Sequence, residues 1–134
     1  MRLLLDTNVL LDAAIARPIW VADAAYLFTR VEQGSAEAFV SVHGVATLYY
    51  VAAKAGRAVG DKAVRSVLRM CDVAPLSHAD LEAAFAFGMS DYEDAMHAAA
   101  ARNVGADYVV TRDLKDFAAS PVPAISPGDL LRLI

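Results

Sequence analysis

Five short apolar segments punctuate the chain: RLLLD (2–6), AFVSV (38–42), DVAPL (72–76), DYVVT (107–111) and VPAI (122–125). Each is of strand length and bounded by turn or charge signals, so each reads as a buried strand. Helical patterns lie between them. VADAAYLFTRVEQG carries apolar residues at helical spacing and closes on Gly34, a common C-terminal stop. GVATLYYVAAKAG is apolar nearly all round and ends at Gly56, and DKAVRSVLRM is more amphipathic. Three helix starts are marked: Ser77 before HADLEAAFAF, Ser90 before DYEDAMHAAAAR with Glu93 at the capping-box position, and Ser126 before Pro127. The order β-α-α-β-α-α-β-α-α-β-α-β-α predicts an α/β fold whose parallel sheet is covered by helices on both faces. No internal repeat, low-complexity tract or linker interrupts it.

Length bounds this picture, since 134 residues suit one domain spanning 1–134 with a single core. The chain is 57% hydrophobic with a mean hydropathy of +0.40, which raises the question of a membrane. Its longest uncharged stretch, residues 38–53, is broken by Ser41, His43, Gly44 and Thr47, whereas a spanning helix wants about 20 predominantly apolar residues. Asp6 cuts the opening leucine run too early for a signal peptide. A single cysteine, Cys71, makes no disulfide framework. The expected location is therefore the cytoplasm, without membrane association. A net charge of −4 argues against broad electrostatic adhesion to nucleic acid and leaves room only for a local basic rim.

The chemistry lies in the carboxylates. In an open α/β sheet, ligands bind beyond the carboxyl ends of the strands, near the point where strand order reverses. Asp6 ends the first strand, and Thr111, Arg112 and Asp113 end the fourth. The acidic helix start SDYED leads into that fourth strand, and Asp91 and Asp94 share a helix face. Asp6, Asp91, Asp94 and Asp113 can thus converge, with Asp116 as a fifth. Taken singly, each has a structural use: acids in a first helical turn are favoured by the dipole, and Asp6 could cap the first helix. Convergence tips the balance toward a site. Close carboxylates repel unless protonated or neutralised by a cation, and oxygen donors suit Mg²⁺ or Mn²⁺. Such a site suits hydrolysis of a phosphate ester, in which the ion activates water and offsets charge on the leaving oxygen. Arg102, Arg112 and Lys115 are candidates for phosphate contacts beside it. His97, three after Asp94, could reach the site but reads first as a surface or partly satisfied histidine; His43 and His78 carry little information, and Asp12 reads as exposed or paired locally. Trp20, Tyr26, Phe28, Tyr49 and Tyr50 read as core or interface.

LLLDTNVLLD, SVHGVATLYYVAAKAG, SDYEDAMHAAAARNVGADYVVTRDLKDF and AISPGDLL, in that order, together resemble the PIN domain, in particular the compact bacterial PIN proteins related to VapC toxins. The resemblance implies a three-layer α/β/α fold around a central parallel sheet of about five strands. It implies a Mg²⁺- or Mn²⁺-dependent endoribonuclease, the toxin of a VapBC-type pair, held by a cognate antitoxin and homodimeric. On this resemblance Asp6, Asp94 and Asp113 are the metal-site acids, Asp91 and Asp116 accessories, and Thr7, Asn8 and Thr111 the groups that orient them. The family's second acid falls on Thr47, whose neutral, shorter side chain does not replace a carboxylate. The alternative is therefore a catalytically impaired PIN module that binds RNA or protein. A Mg²⁺-dependent phosphatase is weaker, because nothing after Asp6 resembles a phosphoryl acceptor followed by its acid/base partner. The helix from Ile19 to Gln33, with Trp20, Tyr26 and Phe28, is the expected part of a homodimer interface.

Overall fold

The computed structural model describes residues 1–134. The elements are β1 (Arg2–Leu5), α1 (Thr7–Ala14), α2 (Val21–Glu32), β2 (Glu37–Ser41), α3 (Val42–Ala52), α4 (Arg57–Met70), β3 (Cys71–Ala74), α5 (His78–Ala84), α6 (Tyr92–Asn103), β4 (Tyr108–Val110), β5 (Ala124–Ile125) and α7 (Pro127–Leu130). The five strands form one sheet in the order β3-β2-β1-β4-β5, parallel throughout. The chain builds outward from β1 through β2 to β3, then returns to add β4 and β5 on the other side of β1. The strand order therefore reverses between β1 and β4, which makes their carboxyl ends the expected place for a site.

Side-chain alternation along β1 divides the core. Leu3 and Leu5 pack with α1, α2 and α4 on one face, while Leu4 packs with Phe39, Ala100, Ala101 and Val109 on the other. On that second face α6 is an alanine run, with Ala98, Ala99, Ala100 and Ala101 fully buried, small enough for the helix to lie close on the sheet. This is the predicted three-layer α/β/α arrangement.

Three local expectations are corrected. The cap of α6 is Asp91 rather than Ser90: the Asp91 carboxylate accepts the Asp94 N–H at 3.0 Å, so Ser90 lies outside and the capping box with Glu93 does not form. Strand β3 stops at Ala74, ahead of Pro75, which has no N–H to continue a ladder. The connection from β4 to β5 is not a helix. It is a series of single turns (Asp116 N–H to the Asp113 carbonyl, Phe117 to Leu114, Ala118 to Lys115) pinned by buried Phe117 and ended before Pro121 and Pro123.

Candidate functional site

Asp6 follows the last residue of β1, and its N–H donates to the Val110 carbonyl at 3.0 Å, tying together the carboxyl ends of β1 and β4. Its side chain is 3% exposed, and Thr111 Oγ1 donates to Asp6 Oδ2 at 2.9 Å. The same hydroxyl oxygen accepts the Asp113 N–H at 3.0 Å, and Asp113 Oδ2 accepts from Asn8 Nδ2 at 3.1 Å. Asp6, Asn8, Thr111 and Asp113 thus form one hydrogen-bonded set across two neighbouring strands.

Asp94 enters from the first turn of α6, half-buried. Burial pushes its carboxyl up to about 7, helped by the charges of Asp6, Asp91, Asp116 and Asp113. Burial likewise raises Asp6 to about 6, against the lowering effect of the Thr111 hydrogen bond and with further push from Asp113 and Glu93. Asp94 thus feels the charge of the other four acids, and Asp6 that of Asp113 and Glu93. No three carboxylate, imidazole or thiol groups already close into a ready-made cage. Oxygen donors in a crowded, mutually repelling array fit a hard cation that keeps several waters and takes one or two carboxylates directly.

This electrostatic arrangement has a signed consequence. Asp6 and Asp94 titrate higher in the fold than the ordinary 3.8, so their contribution to stability is complete below about pH 4. It is lost as pH rises through about 6 and 7. A bound divalent ion opposes that loss and must displace the protons. Mn²⁺ affinity measured by calorimetric titration should tighten about tenfold between pH 6 and pH 8, the change in ionised fraction of a group titrating near 7. A flat profile would place the ion elsewhere.

Behind Asp6 lies a buried histidine that the sequence misassigned. His97 is 1% exposed, with Nδ1 at 3.0 Å from Ser41 Oγ and Nε2 at 3.1 Å from Thr7 Oγ1 and 3.5 Å from Asp6 Oδ1. Burial, with the charge of His43 beside it, pushes His97 down to about 3, so the ring is neutral. Ser41 Oγ already accepts the Gly44 N–H at 3.1 Å, which leaves its own proton for Nδ1. Nε2–H then faces Thr7 and the Asp6 carboxylate. Gly44 makes this packing possible: a Cβ there would come within 3.0 Å of Ser41 Oγ and 3.3 Å of both His97 Cε1 and Thr7 Oγ1. His43, also discounted, lies 4.1 Å from the His97 ring and donates Nε2–H to the Glu93 carbonyl at 3.2 Å. A signal was present in the sequence, since His97 is the polar residue beside an alanine run three positions after Asp94.

On the outer side of the site, Asp12 is 2% exposed and pairs both locally and across the chain. Arg112 donates to it through Nε at 3.0 Å and Nη2 at 3.3 Å from 100 residues away, and Arg17 Nη1 lies 3.6 Å off. Arg112 also lies over the Trp20 ring at 4.7 Å, so the expected phosphate-binding arginine is already engaged. Arg17, which sequence reasoning passed over, donates to Asn8 Oδ1 at 3.2 Å and so reaches the acidic set. Arg102 is corrected: it lies over Phe87 at 5.0 Å, at the far end of α6 and about 12 Å along the axis from Asp94. Lys115 and Asp116 are exposed in the turns after Asp113. Thr47 is partly buried on α3, one turn beyond Gly44 and so on the side that faces His97. Phe28 packs into the core, leaving Trp20 and Tyr26 as the exposed aromatics of the helix expected at an interface. A cavity of about 660 Å³ lies away from the acids: an apolar groove between α1, α2 and α4, lined by Leu10, Ala14, Phe28, Val59, Val67 and Met70.

The chain matches the PIN domain family over residues 2–115. No curated protein matches it. Among solved structures it is similar to VapBC2 from Rickettsia felis bound to a DNA fragment from their promoter, at TM-score 0.71 and 17% identity, covering 94% of this chain and 98% of that one. It is similar to VapBC-1 from nontypeable Haemophilus influenzae, at TM-score 0.71 and 15% identity, covering 96% and 99%. It is also similar to the sarcin-ricin loop cleaving toxin VapC20 of Mycobacterium tuberculosis, at TM-score 0.63 and 15% identity, covering 80% and 86%. At these identities the structures testify to the fold.

Proposed function

This chain belongs to the PIN domain family, and from that premise we propose that it is a Mg²⁺- or Mn²⁺-dependent endoribonuclease, the toxin of a VapBC-type pair. Membership supports a nuclease; the RNA substrate, the ion and the toxin role are the added reading. The observation that carries it is the pair Asp6 and Asp94, delivered by different elements to the β1/β4 switch point and raised to about 6 and 7 by burial and by neighbouring carboxylates. Such an array is relieved by a cation.

Asp6, Asp94 and Asp113 would hold the ion, with Asp91 and Asp116 beside them. A divalent ion bound there supplies charge that activates water and offsets the developing charge on the leaving oxygen. The chain's own groups prepare for it: Thr111 fixes Asp6 Oδ2, His97 faces Asp6 Oδ1, and Asn8 orients Asp113. Lys115 and Arg17 are the cations free or partly free to meet phosphate. No protein nucleophile is required.

The test is cleavage of single-stranded RNA by the purified protein in Mg²⁺ or Mn²⁺. Cleavage should stop in EDTA and be lost in Asp6→Asn. Activity that survives both changes would belong to a contaminant or to another site. Thr47 favours the second reading, an impaired module that binds RNA or protein without cutting. The two readings separate on Thr47→Glu: a carboxylate on the face of α3 shared with Gly44 should tighten divalent binding by at least about 10–100-fold and raise cleavage. Unchanged metal affinity in a folded Thr47→Glu protein would mean that residue 47 does not reach the ion.

A cognate antitoxin belongs to this proposal. A similar solved structure, from Klebsiella pneumoniae, is a toxin-antitoxin complex, and the apolar groove between α1, α2 and α4 suits an amphipathic partner segment. A homodimer through α2, where Tyr26 is exposed, is part of the same reading, as is a cytoplasmic location; no helix is long and apolar enough to cross a membrane.

A further inference from the structure

We infer that Trp20, backed by Arg112, is a stacking platform for a base of single-stranded RNA entering the acidic pocket. This rests on the ribonuclease reading. An acidic pocket repels the phosphates of its own substrate, so something beside it must hold the strand. The structure places one aromatic face and a surplus of positive charge there.

Trp20 sits in the connection between α1 and α2 and belongs to neither core cluster; the indole is 42% exposed. Arg112 lies over the ring at 4.7 Å. That guanidinium is not a loose surface group, because two of its nitrogens are bound to a carboxylate that is itself 2% exposed. The charge count of the cluster is one carboxylate, Asp12, against two guanidinium groups, Arg112 and Arg17, a net of one positive charge. The cluster is joined to the pocket twice. Arg112 directly precedes Asp113, with Cα atoms about 3.8 Å apart, and Arg17 donates to Asn8, which donates to Asp113.

The backbone is bent to achieve this. Ala16 and Ile19 have φ of 50° and 75°, a region costly for any residue with a Cβ and rare for a β-branched one. The connection is held by the Arg17 N–H on the Asp12 carbonyl and the Val21 N–H on the Arg17 carbonyl, at 3.2 and 2.9 Å. The chain's one tryptophan stays at the surface against Arg112. Aromatic faces stack on unpaired bases whatever their sequence, and single strands, unlike duplexes, can splay a base onto such a face.

Because Trp20 is the only tryptophan in the chain, its fluorescence reports directly on stacking. The protein is titrated in Mg²⁺ with a phosphorothioate-linked 2′-O-methyl single-stranded oligonucleotide whose integrity is checked on a gel, and binding is followed independently by anisotropy of a label on its end. Tryptophan fluorescence should be quenched along the same isotherm, while the corresponding duplex leaves it unchanged. Trp20→Ala should weaken binding roughly 5- to 150-fold, and Trp20→Phe should retain most of it. If anisotropy rises while the parent's tryptophan signal stays constant, the platform is wrong and the ribonuclease reading stands. If the probe does not bind and ordinary single-stranded RNA is not cleaved, both fall together. If the signal instead changes with protein concentration alone, and Trp20→Ala alters the oligomeric state, the indole is a protein contact and the inference is overturned. The parent measurement needs no variant to fold.

Discussion

Asparagine in place of Asp94 should make the metal-free protein melt higher than the parent at pH 8, and in the same variant remove the upward shift in melting temperature expected of the parent in Mn²⁺. The Asp94 carboxyl is raised to about 7 by burial and by Asp6, Asp91, Asp116 and Asp113. At pH 8 the parent therefore folds with an ionised group that it would rather keep protonated. Asparagine keeps the shape and removes the charge. At pH 5, where the parent's Asp94 is already protonated, the advantage should vanish.

One effect opposes this. An acid in the first turn of a helix is favoured by the dipole by about 0.3–1 kcal/mol, but Glu93 stays in that turn and the Asp91 cap stays in place, so repulsion wins. RNA cleavage should fall at least about 100-fold, the upper end of what disturbing even the groups behind a metal ligand costs. Thermal melts at both pH values, in chelator and in Mn²⁺, decide it. A variant that melts lower in chelator would make Asp94 a structural partner, and one that responds to Mn²⁺ as the parent does would move the ion elsewhere.

Replacing His97 by alanine should cost about 2–5 kcal/mol of stability. It opens a cavity at a fully buried ring and strands the hydroxyls of Ser41 and Thr7. The same change should weaken Mn²⁺ binding about 10–100-fold, because Asp6 Oδ1 loses the N–H that faces it. Packing and positioning separate on two further variants. His97→Phe restores volume without the polar groups, so it should recover part of the stability and none of the affinity. His97→Gln offers an acceptor toward Ser41 and a donor toward Thr7 and Asp6, and should recover much of both. Chemical denaturation and calorimetric titration of the three variants provide the comparison; equal affinity in the Phe and Gln proteins would reduce His97 to a packing residue.

Acid stability carries the opposite sign from the carboxylates. A histidine lowered from 6.5 to about 3 contributes stability above pH 6.5 that is lost as pH falls toward 3. The Gln variant should lack that part of the acid limb.

Much of this molecule is legible along the chain. Five apolar runs became the five strands and their order implied the parallel sheet, because a buried strand needs only a short apolar run and a boundary. The Ser77 and Ser126 caps are local hydrogen bonds between residues three apart. The errors at this level are local as well: Asp91 outcompetes Ser90 for the cap of α6, and buried Phe117 followed by two prolines holds the β4–β5 connection in turns. Even the convergence of Asp6, Asp94 and Asp113 followed from sequence, since topology alone sends strand ends and a helix start to one edge.

What the acids rest on was not legible. His97 meets Thr7 across 90 residues, Arg112 meets Asp12 across 100, and Thr111 meets Asp6 across 105. A histidine beside alanines reads as a satisfied surface group until Gly44 is seen to leave room for it against Ser41, and Asp12 reads as exposed until Arg112 covers it. Secondary structure is decided by a residue and its near neighbours, which the sequence carries in full. The protonation, orientation and engagement of a buried polar side chain are decided by whatever the fold brings within about 3 Å of it, and only the tertiary structure says what that is.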